Sequence, residues 1–187
     1  MSREQILEAA AQIIREKGYH ATSMSDIAQA VELRKASLYH HINSKQEILV
    51  ALLDQALETL IEGIKPIAAA DLPADDKFRQ ALHAFLSYMS ENLSLSAVLL
   101  LEHRSLDPEG RAAHIPRRDE YEGYWLQIME EGLQAGIFTV QDPRLSVKVV
   151  LGVASWTVMW LNPNGRLSAS EIADYSAELL LDGFYKR

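Results

Sequence analysis

The sequence predicts an all-α fold of about nine helices. Apolar residues recur every three or four positions along almost the whole chain, which is the period of one face of an α-helix. Capping residues mark many of the expected helix starts. No segment shows the alternation of apolar and polar residues that is typical of a half-buried strand.

Three helices are expected in the N-terminal region. An apolar stripe that stops before Gly18 marks the first, because glycine commonly ends a helix. Two helices of about eight residues follow, Met24–Val31 and Lys35–Ile42. Helices this short need tertiary packing, and two of them behind a longer helix are typical of a helix-turn-helix.

Longer helices are expected after residue 44. The first of them is predicted to end at Lys65, since the residue before Pro66 is biased away from helical geometry. Two more long helices are expected near the end of the chain, at about Pro143–Leu161 and Glu171–Tyr185. Capping patterns mark helix starts at Ser23-x-x-Asp26, Ser44-x-x-Glu47, Asp107-Pro108, Asp142-Pro143 and Ser168-x-x-Glu171.

Charge divides the chain into two parts. The 187 residues carry 18 Lys+Arg and 26 Asp+Glu, a formal net charge of −8, which taken alone argues against a surface that binds phosphates. Residues 1–47 nevertheless hold six bases and six acids, so the whole acidic excess lies in residues 48–187. This asymmetry predicts a first domain over residues 1–47 and a second over residues 48–187.

The composition excludes several classes of protein. The chain has no cysteine, which excludes disulfides, thiolate zinc sites and cysteine nucleophiles. No apolar signal stretch opens it, and its longest uncharged apolar run, Val149–Leu161, is too short to span a bilayer. We therefore expect a cytoplasmic protein that has no membrane partner.

The second short helix has the chemistry of a DNA-reading element. The stretch Leu33–Gln46 contains no acid, and Arg34, Lys35 and Lys45 supply three positive charges. A small residue such as Ala36 lets a helix approach base edges closely, and neighbouring polar side chains can bond to phosphates or bases. Charge and spacing alone leave DNA binding and an ordinary solvated basic helix equally open.

Two motifs in this region carry a family resemblance. The segment GYHATSMSDIA (residues 18–28) and the segment KASLYHHINSKQEIL (residues 35–49) resemble the DNA-binding domain of TetR-type transcriptional regulators. The resemblance implies an N-terminal helix-turn-helix DNA-binding domain and a larger helical domain for effector binding and dimerisation. With the charge pattern, it predicts DNA contacts by Thr22, Ser23, Arg34, Lys35, Ala36, Ser37, Tyr39, His40, His41 and Lys45.

Three residues depart from the family pattern. Glu32 occupies a turn position where the family usually has glycine, at a cost on the order of 1 kcal/mol if the backbone there needs a positive φ. Arg34 replaces a common serine, which removes a helix cap but adds a charge that attracts phosphate. Ile42 replaces an aromatic core residue. The motif survives all three.

The resemblance also implies a homodimer formed through the last two helices. Such a dimer would place two recognition helices about 34–36 Å apart on a palindromic operator. The apolar positions of these helices exceed what one packing face needs, although an internal core is the alternative. These positions are Val147, Val150, Leu151, Ala154, Val158, Leu161, Ile172, Tyr175, Leu179, Leu180 and Phe184.

The middle helices carry the candidate effector site. Four arginines between His103 and Arg118 suit an anionic ligand group, and salt bridges to neighbouring acids are an equally open reading. The segments EGLQAGIF (residues 131–138) and WTVMW (residues 156–160) are loosely similar to TetR-type regulators that sense acyl-CoA thioesters. The predicted effector contacts are Phe85, Met89, Arg104, Arg117, Arg118, Tyr121, Tyr124, Trp125 and Trp156.

The sequence therefore predicts a repressor that a small amphipathic or acyl-CoA-like effector releases from its operator. An enzyme is not expected, because the six histidines form no H-E-x-x-H pair and the nine glycines form no phosphate-binding loop. No cofactor or metal is expected either. The remaining alternative is a helical interaction module or lipophile-binding protein that does not bind DNA.

Overall fold

The computed structural model describes residues 1–162 and 164–184, and nine α-helices lie within them. This confirms the predicted all-α fold. Two short 3₁₀ helices, His103–Ser105 and Trp156–Met159, accompany them. The helices are α1 Arg3–Lys17, α2 Met24–Ala30, α3 Lys35–Leu38, α4 Lys45–Ala69, α5 Ala74–Glu91, α6 Leu93–Leu101, α7 Pro108–Gln134, α8 Pro143–Ser155 and α9 Ala169–Phe184.

The predicted caps begin their helices as expected. The Ser23 hydroxyl accepts a hydrogen bond from the Asp26 amide at 3.1 Å, and the Asp26 carboxylate accepts one from the Ser23 amide at 2.8 Å. Ser168 and Glu171 make the same reciprocal pair before α9. Asp142 caps α8 with its side chain. Each cap satisfies amides that have no partner within the helix.

The predicted end of α4 at Lys65 is wrong, because the helix continues through Pro66 to Ala69. Proline removes one backbone hydrogen bond there. The last turn is held instead by the buried side chains of Ile64 and Ala68. The Lys77 ammonium also donates to the Ala68 carbonyl at 2.9 Å, where a cation is favoured by the helix dipole.

Two other helices are shorter than predicted. The second short helix is regular only over Lys35–Leu38, and after it the amides of His40 and His41 bond three residues back, to Ser37 and Leu38. α8 ends at Ser155, and the chain continues as the 3₁₀ helix Trp156–Met159 instead of as α-helix to Leu161. The end predicted for the last helix, Tyr185, lies outside the described residues.

The chain packs as two compact units, which are described separately. Unit 1 comprises residues 1–58 and 92–117, and unit 2 comprises residues 59–91 and 118–187. Packing alone defines these units. The domain boundary predicted after residue 47 concerns function and stays a prediction.

In unit 1, packing against a common apolar core stabilises the short helices α2 and α3. Ile6 and Ile14 of α1, Ile27 of α2, Leu38 of α3 and Ile42 are at most 1% exposed. Leu38 and Ile42, about one helical turn apart in sequence, thus both lie on the buried side. Burial of these side chains supplies the tertiary packing that helices of seven and four residues need.

In unit 2, an aromatic cluster and a partly buried ion pair join the helices. Phe78 packs edge-on against Trp125, with ring centroids 5.9 Å apart. Lys77 is 5% exposed, and its ammonium lies 2.6 Å from the Glu131 carboxylate. Hydrogen bonding by Lys77 lowers the pKa of Glu131, so this carboxylate stays charged opposite the buried ammonium.

The turn between α2 and α3 is strained at Glu32. Its φ of 54° is the only positive φ of a non-glycine residue in the described part of the chain. We expect Glu32→Gly to raise the free energy of unfolding by about 0.5 to 1 kcal/mol, because glycine reaches this conformation without a Cβ clash. Urea denaturation measures the change. Gln29→Gly, on the exposed side of α2, is the control and should instead destabilise, and equal losses for both variants would contradict the prediction.

Candidate nucleic-acid interface and effector region

Most of the predicted DNA contacts are exposed side chains near α3. Tyr39, which follows α3 directly, is 42% exposed. Ser23 at the start of α2 is also exposed, whereas Ser37 is half-buried. The exposed residues of this stretch are Arg34, Lys35, Ala36, Tyr39, His40 and His41, which we call the α3 surface.

The α3 surface carries uncompensated positive charge. Arg34 and Lys35 form no ion pair within the described part of the chain. No acidic residue lies between Leu33 and Gln46 that could neutralise them locally. A helix with this charge and with a small residue at its start can approach phosphates and base edges together.

Thr22 and Lys45 occupy a different environment from the other predicted contacts. Thr22 is 2% exposed, and its hydroxyl donates to the Gly18 carbonyl at 2.9 Å. The Lys45 ammonium donates to the carbonyls of Tyr19 and Thr22, both at 2.8 Å, and lies 4.3 Å from the centre of the Tyr19 ring. Both side chains therefore fix the turn before α2 in this structure.

Four of the predicted effector contacts are buried in unit 2. Phe85, Met89, Tyr121 and Trp125 are each at most 5% exposed. The rings of Phe85 and Tyr121 stack with their centroids 6.5 Å apart. Burial raises the pKa of Tyr121, so its hydroxyl is a neutral polar group within an otherwise apolar interior.

Two of the predicted arginines form ion pairs. Arg117 pairs with Glu58 in unit 1. In unit 2, Arg118 lies 3.1 Å from Asp119 and 3.5 Å from Glu122. The salt-bridge reading of the sequence therefore describes these two side chains in this structure.

The other predicted effector residues do not join the buried aromatic group. Arg104 and Trp156 are exposed, and Tyr124 is half-buried. A cavity of about 270 Å³ lies between α7 and α8 in unit 2, and no predicted effector contact lines it. Its lining residues are Asp119, Glu122, Gly123, Leu126, Arg144, Val147 and Lys148.

An exposed apolar surface lies on the last two helices. Of the apolar positions that the sequence analysis named on these helices, Val147, Val150 and Ala154 are buried inside the single chain. The apolar residues that are exposed on α8 recur every four positions, and this spacing in the sequence could have identified them as a separate group. We call the following side chains, all 50% exposed or more, the α8–α9 apolar face: Leu145, Val149, Val153, Trp156, Tyr175 and Leu179.

In the described part of the chain, no group of three His, Asp or Glu side chains could hold a metal ion. No single helix within residues 1–162 and 164–184 is long and apolar enough to cross a membrane, and α5 and α6 pass that test only when taken as one bent pair.

Two family models match the chain. The model for bacterial regulatory proteins of the tetR family matches residues 6–52. The model for the tetracyclin repressor-like C-terminal domain matches residues 71–184, which is more than half of the chain.

Similar proteins match over nearly the full length. The HTH-type transcriptional repressor KstR2 of Rhodococcus jostii is 29% identical and covers 97% of this chain and 90% of its own. The solved structure of the TetR family regulator PfmR from Thermus thermophilus is 36% identical with a TM-score of 0.87, over 95% of this chain and 97% of that one. The structure of AibR in complex with isovaleryl coenzyme A and operator DNA is 28% identical with a TM-score of 0.88, over 96% of this chain and 97% of that one.

Proposed function

Because this chain belongs to the TetR family of bacterial regulatory proteins, we propose that it represses transcription from a palindromic operator and leaves that operator when an amphipathic effector binds. As a member of the family it is a ligand-responsive, DNA-binding transcriptional regulator. The observation that carries the proposal is the exposed, positively charged α3 surface, which lies inside the matched N-terminal domain. Operator binding requires access to the chromosome, so we place the protein in the cytoplasm.

We assign operator binding to residues 1–47 and effector binding and dimerisation to residues 48–187. Arg34 and Lys35 are free to neutralise phosphates, and Tyr39, His40 and His41 offer hydrogen bonds beside them. Ser23 is exposed at the start of α2. Thr22 and Lys45 would contribute mainly by shaping the turn before α2, since their polar groups already bond to backbone carbonyls.

The proposed effector is an acyl-CoA thioester or a similar amphipathic molecule. One similar protein is solved with isovaleryl coenzyme A, and a relative in Bacillus subtilis, 25% identical, is a fatty acid metabolism regulator protein. In this chain, Phe85, Tyr121 and Trp125 supply the apolar surroundings that an acyl group requires. Arg118 would have to leave Asp119 and Glu122 to bind a phosphate, which is a modest cost for an exposed ion pair.

We propose that a second copy of the chain covers the α8–α9 apolar face. Large apolar side chains that stay exposed at a regular helical spacing are typical of a protein–protein contact. A twofold axis would bring the same face of each copy together and form a four-helix bundle. The two α3 surfaces could then occupy half-sites about one DNA turn apart.

Fluorescence polarisation with the promoter DNA upstream of the protein's own gene tests this function. We expect tight binding that weakens steeply between about 50 and 200 mM salt, because phosphate contacts release counterions. Palmitoyl-CoA or isovaleryl-CoA should release the DNA, whereas CoA alone should not. An effector shifts the equilibrium only through unequal affinity for the two states.

Two results would overturn parts of the proposal. Binding without a salt slope, or no binding, would favour an interaction module or a lipophile-binding protein. If calorimetry detects a neutral lipophile but no acyl-CoA, the CoA assignment is wrong while the regulator function stands.

A further inference from the structure

In unit 1, the segment between α6 and α7 is hydrogen-bonded to the turn that precedes α2. We call residues 102–107 the α6–α7 segment and residues 18–22 the head turn. The Glu102 carboxylate accepts a hydrogen bond from the Tyr19 amide at 3.0 Å. Gly18, at the start of the head turn, has a φ of 82°, and a Cβ there would lie 3.6 Å from the same carboxylate oxygen.

Ser105 links the Glu102 carboxylate to a second residue of the head turn. Its hydroxyl donates to the other oxygen of Glu102 at 3.1 Å and lies 3.2 Å from Nε2 of His20. The hydroxyl has one proton, which it gives to the carboxylate, so Nε2 of His20 must be the donor to Ser105. The serine stands between the acid and the histidine, and the histidine cannot take its proton, so this is not an activated nucleophile.

Gln46, in the first turn of α4, bonds to the same segment. Its amide nitrogen donates to the Ser105 carbonyl at 2.8 Å, and its amide oxygen accepts from the Asp107 amide at 3.3 Å. The neighbouring Lys45 holds two carbonyls of the head turn. The head turn is therefore fixed both from the start of α4 and from the α6–α7 segment.

The hydrogen bond from Tyr19 to Glu102 is suited to setting the position of α2. A charged acceptor makes a shorter and stronger bond than a neutral one, and this one is partly buried. The head turn leads directly into Ser23, which caps α2. Glu102 itself lies outside residues 6–52, which match the N-terminal family model, so it reaches the DNA-binding region from the other part of the chain.

We propose that Glu102 is a positioning residue for the DNA-binding region, and that effector control of operator binding passes through its bonds to Tyr19 and Ser105. This inference rests on the proposed function. The α6–α7 segment runs directly into α7, the helix that contains Tyr121 and Trp125. Two ligands influence each other only if some contact differs between the two states of the protein, and in this proposal the bonds of Glu102 are that contact.

Three variants of the full-length protein test the inference. Glu102→Ala removes both bonds. Glu102→Gln keeps an oxygen that can accept from the Tyr19 amide, so it should behave more like the wild type than Glu102→Ala does. Glu109→Ala, an exposed acid in the first turn of α7, is the matched control. Three quantities are measured for each variant: hydrogen exchange of the head-turn amides, the operator Kd with and without palmitoyl-CoA, and the palmitoyl-CoA Kd by calorimetry.

We expect Glu102→Ala to speed exchange at the head-turn amides by about tenfold, as loss of a stabilising bond predicts. The factor by which palmitoyl-CoA weakens operator binding should fall at least about fivefold, while palmitoyl-CoA affinity stays within about twofold. A merely structural loss would change stability or both affinities instead. Glu109→Ala should match the wild type.

The failures are distinguishable. Unchanged exchange in Glu102→Ala, or release by palmitoyl-CoA equal to that of the wild type, overturns the role of Glu102. If the wild type does not bind operator DNA, the proposed function is overturned, and the control of operator binding through Glu102 with it. The exchange data then show separately whether Glu102 positions the head turn.

Discussion

Val149→Glu is expected to convert the proposed dimer to a monomer and to weaken operator binding strongly. Val149 is 50% exposed at the middle of the apolar stripe on α8. A twofold contact would place one carboxylate from each copy in an apolar interface. Loss of hydration and repulsion between the two charges would then destabilise the dimer by several kcal/mol. Light scattering should report the single-chain mass of 21.0 kDa. The operator Kd should rise by at least about 100-fold, because a monomer lacks the second α3 surface whose binding to the other half-site strengthens the complex.

Leu72→Glu is the control for this experiment. Leu72 is 40% exposed in unit 2, lies before α5, and is not one of the residues of the α8–α9 apolar face. It should leave both the mass and the operator affinity unchanged. Because Val149 is exposed in the single chain, Val149→Glu should keep its helical circular dichroism. A Val149→Glu protein that stays dimeric would show that the two copies meet elsewhere.

The sequence predicted the helices well where local chemistry determines them. The reciprocal cap of Ser23 and Asp26, and the aspartate cap at Asp142, depend on residues three positions apart and can be read directly. The strain at Glu32 was also foreseeable, because the family pattern places glycine there. The structure indeed has a φ of 54° at this residue. Such features involve few residues and no distant partner.

Features that depend on distant partners could not be predicted. The continuation of α4 past Pro66 is supported by Lys77, which lies in the next helix and donates to the Ala68 carbonyl. Apolar periodicity marks which residues of α8 can be buried, but not whether this chain or a second one buries them. Val150 thus proved internal, while Val149 is half exposed.

The candidate site shows the same division between local and distant information. Charge along the chain identified the α3 surface, because Arg34 and Lys35 lie in the acid-free stretch Leu33–Gln46. The roles of Lys45 and Glu102 depend on hydrogen bonds to residues 26 and 83 positions away. Sequence spacing contains no signal for such pairs.

Tyr39→Ala is expected to weaken operator binding by about 100-fold while leaving effector affinity intact. One base or phosphate contact contributes about 1 to 3 kcal/mol, and a symmetric dimer makes it in both half-sites. Tyr39 is 42% exposed, so its removal should cost little stability. Operator Kd by fluorescence polarisation and effector Kd by calorimetry measure the two effects. Loss of both affinities would indicate a folding defect instead.

Two comparisons separate the contribution of the ring from that of symmetry. Tyr39→Phe keeps the ring, so a loss that matches Tyr39→Ala would assign the contact to the hydroxyl. On DNA that contains a single half-site, only one Tyr39 can contact the duplex, so the free-energy loss should be halved and the Kd should rise only about tenfold. Equal losses on the half-site and the full palindrome would mean that only one copy uses Tyr39, and the symmetric arrangement of the two α3 surfaces would then be wrong.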